Sequence, residues 1–262
     1  MAMSGKHVIE ARDIRTYFGE VCIHDGIDLD VQRGETFALV GGSGSGKTTL
    51  LREINMLTRP ASGSLQVLGF DVLALPENRL DPLRRRIGVM FQHGALFSAL
   101  TVLENVALVL NEHTDLSRDL VQQLALLKIV LAGLPASAAH MYPRELSGGM
   151  LKRAAVARAL ALDPEILFLD EPTAGLDPQS ASAFDDLVIQ LKESLGLTVV
   201  LVTHDLDTLW RVTDRVAFLA QKKVVALGPI AELSAHPHPE VHAYFSGPRG
   251  RAAAQAYTWT RA

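Results

Sequence analysis

Over the first forty residues, apolar and polar positions alternate more than they cycle. Residues 8–14 and the series Ile27, Leu29, Val31 read as short strands, punctuated by Gly19, Gly26 and Gly34. Residues 36–40 form an unbroken apolar run, the pattern of a parallel strand buried on both faces. A glycine cluster follows, and then Leu50, Leu51, Ile54 and Leu57 recur at helical spacing from about Lys47 until Pro60. From Arg86 to Leu160 the patterns are helical (102–110, 116–131, and the Ala-rich 151–162), with little strand signal, which predicts an inserted helical subdomain. Strand signals return at 166–169, 198–202, 216–219 and 224–227. The helix between the first two has marked ends, with Asp177 as cap, Pro178 in the first turn and Gly196 past the last. Phe184, Leu187, Val188, Leu191 and Leu195 give it one apolar face. Strands alternating with helices predict an α/β fold, a mostly parallel sheet covered on both faces.

Composition narrows the classes. The chain has 262 residues, 48% hydrophobic and 21% charged, which is ordinary for a globular protein with a full core. Its formal net charge of -4 argues against nucleic acid as main partner, since phosphate neutralisation favours basic proteins. Cys22 is the sole cysteine, so no internal disulfide forms and a reducing compartment fits. The first residues lack the apolar core of a signal peptide. The apolar stretch 120–134 is broken by Gln122, Gln123 and Lys128 and falls short of a membrane span. Work at a membrane would require recruitment by another protein.

Three segments carry chemistry. Gly41, Gly42, Ser43, Gly44, Ser45, Gly46, Lys47 and Thr48 fit G-x4-G-K-[ST] between a strand and a helix. Glycines let many backbone N–H groups close on a triphosphate, and the helix N-terminus adds positive potential. Lys47 is expected on the β- and γ-phosphates, and the Thr48 hydroxyl on Mg²⁺. The apolar run at 166–169 surfaces at Asp170 and Glu171. The first is placed to hold Mg²⁺, the second to take a proton from an attacking water. Ser147, Gly148 and Gly149 open a second helix, giving a second anion-ready N-terminus in one chain. One triphosphate does not need both. Two subunits arranged head to tail would use both.

With these motifs in this order, the chain resembles the ABC (ATP-binding cassette) ATPases over nearly its whole length. Leu146-Ser147-Gly148-Gly149-Met150 matches the signature, residues 174–177 the D-loop, Gln92 the Q-loop and His204 the switch histidine. The resemblance implies the P-loop NTPase fold of that family, with N-terminal antiparallel strands and the inserted subdomain at about 86–160. It implies ATP and Mg²⁺, with Phe18 stacking on adenine and Thr49 joining Gly41–Thr48 at the nucleotide. Thr48, Gln92 and Asp170 would be on the metal. Glu171, His204 and Gln92 would serve hydrolysis. Ser147, Gly148, Gly149 and Asp177 would act on the nucleotide of the opposite subunit.

Within the family, Gln92–Phe97, Met150, residues 172–178 and the closing 236–245 look like the ATPases of MCE/Mla-type lipid transporters. That branch implies phospholipid movement between bacterial membranes and a location on the cytoplasmic face of the inner membrane. It implies a second copy of the chain, permease subunits, a STAS-domain protein and an MCE substrate-binding protein as partners. An importer ATPase for amino acids or other small solutes is the rival reading. A soluble ABC ATPase for nucleic acid or protein assembly is a further one, but no basic stripe or second cassette is seen. Residues 1–245 form the expected ATPase domain. Residues 246–262 form an extension whose Tyr257 and Trp259 are expected to clip onto the neighbouring subunit.

Overall fold

The computed structural model describes residues 6–247 and Ala253. The elements begin with β1 (His7–Phe18), β2 (Val21–Gln32), β3 (Thr36–Gly41), α1 (Lys47–Ile54), β4 (Ser62–Val67), β5 (Phe70–Asp71) and α2 (Asp81–Arg84). Next come β6 (Ile87–Met90), α3 (Val102–His113), α4 (Arg118–Leu131), α5 (Gly148–Ala159), β7 (Ile166–Asp170) and α6 (Pro178–Leu195). The chain continues with β8 (Thr198–Val202), α7 (Leu206–Val212), β9 (Arg215–Ala220), β10 (Lys223–Gly228), α8 (Ile230–Ser234) and α9 (Pro239–Ser246). They fall into two compact units, Met1–Leu83 with Thr198–Ala262, and Arg84–Leu197.

The first unit contains an antiparallel sheet in the order β2-β1-β4-β5. It also contains β3 hydrogen-bonded in parallel to β8 on one side and to β9 on the other, with β10 antiparallel at β9. Every residue of β3 and β8 is buried, so the apolar runs read from the sequence mark interior strands. Each buried Val, Leu or Phe among them adds about 1.5–3 kcal/mol over its exposed state. Arg215 ties the strands at one end. It bonds Asp30 and Glu35 at 3.1 Å each and lies over the Phe37 ring. Burial raises the Glu35 carboxyl above the usual carboxylate range against the pull of Arg215. Towards the end of the chain, Tyr244 of α9 meets Phe218 of β9 edge to face and Phe245 meets it at a tilt, with ring centroids 5.3 and 6.5 Å away.

The second unit pairs β6 in parallel with β7 and packs α3, α4 and α5 together. Thr101 and Glu104 form a capping box on α3. The bond from the Thr101 backbone holds the Glu104 carboxyl below its usual range. Asp177 caps α6 and Gly196 ends it at φ 66°, as its sequence signals require.

Several expectations need correction. α1 stops at Ile54 because Met56 turns left-handed at φ 62°, so Leu57 lies outside the helix and is 49% exposed. The middle third contains a strand, β6, too short and glycine-broken to show as a period. β4 was not signalled, being Ser- and Gly-rich on one half. α5 runs from Gly148 with Ser147 as its cap, as expected, but ends at Ala159, short of Leu162. Leu195 keeps the line of the α6 apolar face, but as the last residue of the helix it is 40% exposed. Tyr257 and Trp259 lie outside the described residues.

Asn105 is the polar residue this packing depends on most in the second unit. Fully buried on α3, it accepts from Phe97 N at 2.8 Å and donates to the carbonyls of Phe97, Leu100 and Thr101 within 3.1 Å. Asn105→Leu leaves the Phe97 N–H and the Leu100 carbonyl without the amide they bond, while the Phe97 and Thr101 carbonyls keep backbone donors. It is expected to lower stability by about 2–4 kcal/mol in urea unfolding. A loss under about 0.5 kcal/mol would show that water replaces the amide at no cost.

Candidate nucleotide site

In the first unit the phosphate-type loop leaves the end of β3. Gly41 stands at φ 147°, and a Cβ there would lie 2.2 Å from the Leu219 carbonyl oxygen of β9. Only glycine fits. Gly46 caps α1 at φ 94°, also left-handed. Between them Gly42, Ser43 and Gly44 are exposed, and Ser45 N closes a turn onto Gly42 O at 3.2 Å. Lys47 folds back over the loop, its Nζ donating to Gly41 O and Gly42 O at 2.9 Å each. Thr48 and Thr49 stand in the first turn of α1, where backbone N–H groups have no partner inside the helix. A cleft of about 390 Å³ opens on this loop, lined also by Val21, Cys22 and residues 219–222. Phe18, at the end of β1, is 59% exposed, so its ring is not part of the core.

Strand register brings His204 to the same edge. Leu39 of β3 pairs with Val202 of β8, so Gly41 and His204 each lie two residues past that pair. His204 is exposed between buried Thr203 and Asp205, which caps α7 by accepting from Asp207 N and Thr208 N. The carboxyl ends of parallel strands are where ligands bind in such sheets.

The second unit gathers another set in the same way. Met90 of β6 pairs with Leu169 of β7, so Gln92 and the Asp170–Glu171 pair leave one edge together. Glu171 adopts φ 47°, uncommon outside glycine. Lys152 of α5 donates to the backbone carbonyls of both Gln92 (2.5 Å) and Glu171 (3.1 Å). Burial pushes the Lys152 ammonium below the usual lysine range, against the pull of Glu171 and Asp170. Lys152 was missed at the level of sequence. The available signal was one charge among the buried small residues of an Ala-rich helix.

Ser147 caps α5, its Oγ accepting from Met150 N at 3.3 Å. Gly148 and Gly149 follow with ordinary helical φ. A Cβ at either would meet its nearest neighbour at 3.5 and 3.8 Å, normal contact. Among the described residues nothing requires glycine there. Asp177 accepts from Ser180 N at 3.0 Å and from Ser180 Oγ at 2.6 Å, and the side-chain bond from Ser180 is the main reason its carboxyl stays below the usual range.

The chemistry of the two sets can be matched with their kinds of ligand. The glycine loop with Lys47 suits a polyphosphate, since two of its glycines admit no side chain and Lys47 lies over the loop at the start of a helix. The hydroxyl of Thr48, the amide oxygen of Gln92 and the carboxylate of Asp170 are hard oxygen donors of the kind Mg²⁺ takes. Among the described residues no group of His, Cys, Asp and Glu forms a metal cluster, and no helix is long and apolar enough to cross a membrane.

The chain is similar to known proteins. A family profile described as ABC transporter matches residues 24–174, a span that includes the glycine loop, Gln92, the signature and the carboxylate pair. The intermembrane phospholipid transport system ATP-binding protein MlaF of Escherichia coli (strain K12) is 40% identical over 94% of this chain and 91% of its own length. The methionine import ATP-binding protein MetN of Brucella abortus (strain 2308) is 39% identical over 89% of this chain and 63% of its own. Among solved structures, the ATP-binding cassette MJ0796, in a dimeric post-hydrolysis state bound to ADP and Pi, aligns with a TM-score of 0.78. It is 32% identical and covers 85% of this chain and 98% of that one. With the loop, the carboxylate pair and the signature all inside the matched span, this chain belongs to the ABC transporter family, as one of its ATP-hydrolysing cassettes.

Proposed function

We propose that the chain is the ATPase of an MCE/Mla-type transporter moving phospholipid between bacterial membranes, working with Mg²⁺ as a head-to-tail pair on the cytoplasmic face of the inner membrane. The observation that carries the phospholipid reading is the 40% identity to the E. coli phospholipid-transport protein across 91% of that protein. The pairing is supported by Gly148 and Gly149, which no internal contact requires and which leave the α5 N-terminus open to a phosphate from outside the chain. The dimeric state of the related MJ0796 cassette agrees with it. In this reading, residues 1–245 form the ATPase domain with its helical subdomain at about 86–160. The permease, a STAS-domain protein and an MCE protein are its partners.

The roles follow from the side chains. Lys47 and the N–H groups of the glycine loop bind the β- and γ-phosphates, and Phe18 offers its exposed ring to adenine. Mg²⁺, held by Thr48, Gln92 and Asp170, would neutralise phosphate charge as it builds on the leaving group. Glu171 takes the proton of the attacking water, and His204 donates toward the γ-phosphate. Ser147 and the two signature glycines serve the nucleotide of the partner subunit, with Asp177 beside it.

Glu171→Gln keeps the shape but cannot accept a proton. ATP binding is expected to persist while turnover falls about 10²–10⁴-fold. Turnover within about threefold of wild type would remove Glu171 from the general-base role. Purification of the chain from its native membrane tests the cargo. Co-purification of a permease carrying phospholipid is the expected result. Recovery with a permease and a methionine- or other solute-binding protein would favour the rival importer reading, with which the 39% identity to MetN agrees.

A further inference from the structure

The first unit buries a histidine–carboxyl pair beneath the glycine loop that none of the roles above uses. His24 of β2 is 0% exposed and Glu53 of α1 is 1% exposed, while Thr16 of β1 faces His24 across the sheet. His24 Nε2 lies 3.2 Å from the Gly46 carbonyl oxygen, and Nδ1 lies 2.9 Å from Thr16 Oγ1. The Thr16 hydroxyl contacts Glu53 Oε1 at 2.6 Å, and Glu53 Oε2 is 3.4 Å from His24 Nδ1.

Donor and acceptor rules limit the protons in this chain of contacts. A carbonyl only accepts, so Nε2 carries a hydrogen and donates to Gly46 O. Thr16 has one hydroxyl hydrogen for two neighbours. If it goes to Glu53, Nδ1 must donate to Oγ1, and an imidazolium faces a carboxylate. If it goes to Nδ1, Glu53 must donate to Oγ1, and both groups are neutral. Either way the pair holds the same protons and no net charge, so the interior carries no uncompensated ion.

A buried pair of this kind adds little stability over apolar side chains of similar size. Here it fixes a position. The Gly46 carbonyl also accepts Leu50 N at 2.9 Å, the first helical bond of α1. A peptide is planar, so an oxygen held from two sides sets the direction of the Lys47 N–H at its other end. That N–H is one of the open donors at the helix start. The imidazole occupies the space where a Gly46 Cβ would fall, 2.4 Å from Nε2. Glu53 sits two turns further along the same face of α1, so the network grips the helix at both points.

We propose that His24, held by Thr16 and Glu53, is a positioning residue for ATP that sets the Gly46–Lys47 peptide to receive phosphate. The proposal rests on the reading of the glycine loop as the ATP site, and the two are separable. ATP affinity of the full-length chain is measured by calorimetry together with kcat and KM. Binding by wild type and its loss in Lys47→Ala establish the site. Absence of binding by wild type overturns both readings.

His24→Leu combined with Glu53→Leu replaces the pair by apolar groups and leaves no lone charge. ATP Kd and KM are expected to rise about tenfold with kcat within about twofold, because the contact acts alike on the ground and transition states. His24→Gln combined with Glu53→Leu presents an amide that donates to Gly46 O and accepts from Thr16. It is expected to return affinity to within about threefold of wild type. A role in stability alone would leave Kd of the folded variants unchanged. Wild-type Kd in the Leu pair, or equal weakening in the Gln variant, overturns the proposal. Should the Leu pair not fold, Thr16→Val decides. It removes only the shared hydroxyl and should weaken ATP binding about threefold, and unchanged affinity overturns the proposal.

Discussion

A compact polyanion can be held by a short loop only where backbone N–H groups reach it without side chains in the way. That constraint shapes the first unit. Gly41 pairs with Leu219 in the β3–β9 ladder and lies so close to the Leu219 carbonyl that no Cβ fits. The loop therefore turns at once off the end of a fully buried strand. Its position is inherited from the packing of β3 between β8 and β9. Lys47 closes over the first two glycine carbonyls, which places the one cation of the loop where the triphosphate's charge would concentrate. The buried His24 network grips the other end of the loop from below. A loop of flexible residues is thus fixed at both ends by rigid elements, which is what preorganised binding requires.

The second unit repeats the device of a helix N-terminus, with a different logic. Ser147 caps α5 and the next two residues are bare, although neither φ nor packing asks for glycine. On the same helix Lys152 spans the carbonyls of Gln92 and Glu171. One side chain thus ties α5 to the backbone of the proposed base. Glu171 holds a left-handed conformation that costs about 1–2 kcal/mol for a non-glycine residue. The grip on its carbonyl offsets part of that cost.

Much of this was legible in the residue order because the relevant signals are local. Residues 36–40, 166–169 and 198–202 announce interior strands by unbroken apolar runs, and Asp177, Pro178 and Gly196 mark both ends of α6. The glycine loop and the signature are contiguous, so they too could be read directly. What escaped was non-local. β6 is four residues long and carries Gly88, and its identity as a strand comes from pairing with β7 far along the chain. α1 ends early because Met56 turns left-handed, which no side-chain pattern announces. Thr16, His24 and Glu53 meet only after three elements pack. The one available hint was an acidic residue beside Leu50, Leu51 and Ile54 on an otherwise apolar helix face. Lys152 was hidden in the same way, since its partners are backbone atoms.

The central claim is that the open N-terminus of α5 completes the nucleotide site of a second copy. The direct measurement is the mass in solution of the Glu171→Gln chain with ATP and Mg²⁺, with bound nucleotide counted. A dimer holding two ATP is expected. Adding Ser147→Arg is expected to return the chain to a monomer that still binds one ATP. A Glu171→Gln chain that binds ATP and stays monomeric, or a Ser147→Arg monomer that no longer binds ATP, would contradict it, the latter because the signature would then act within its own chain.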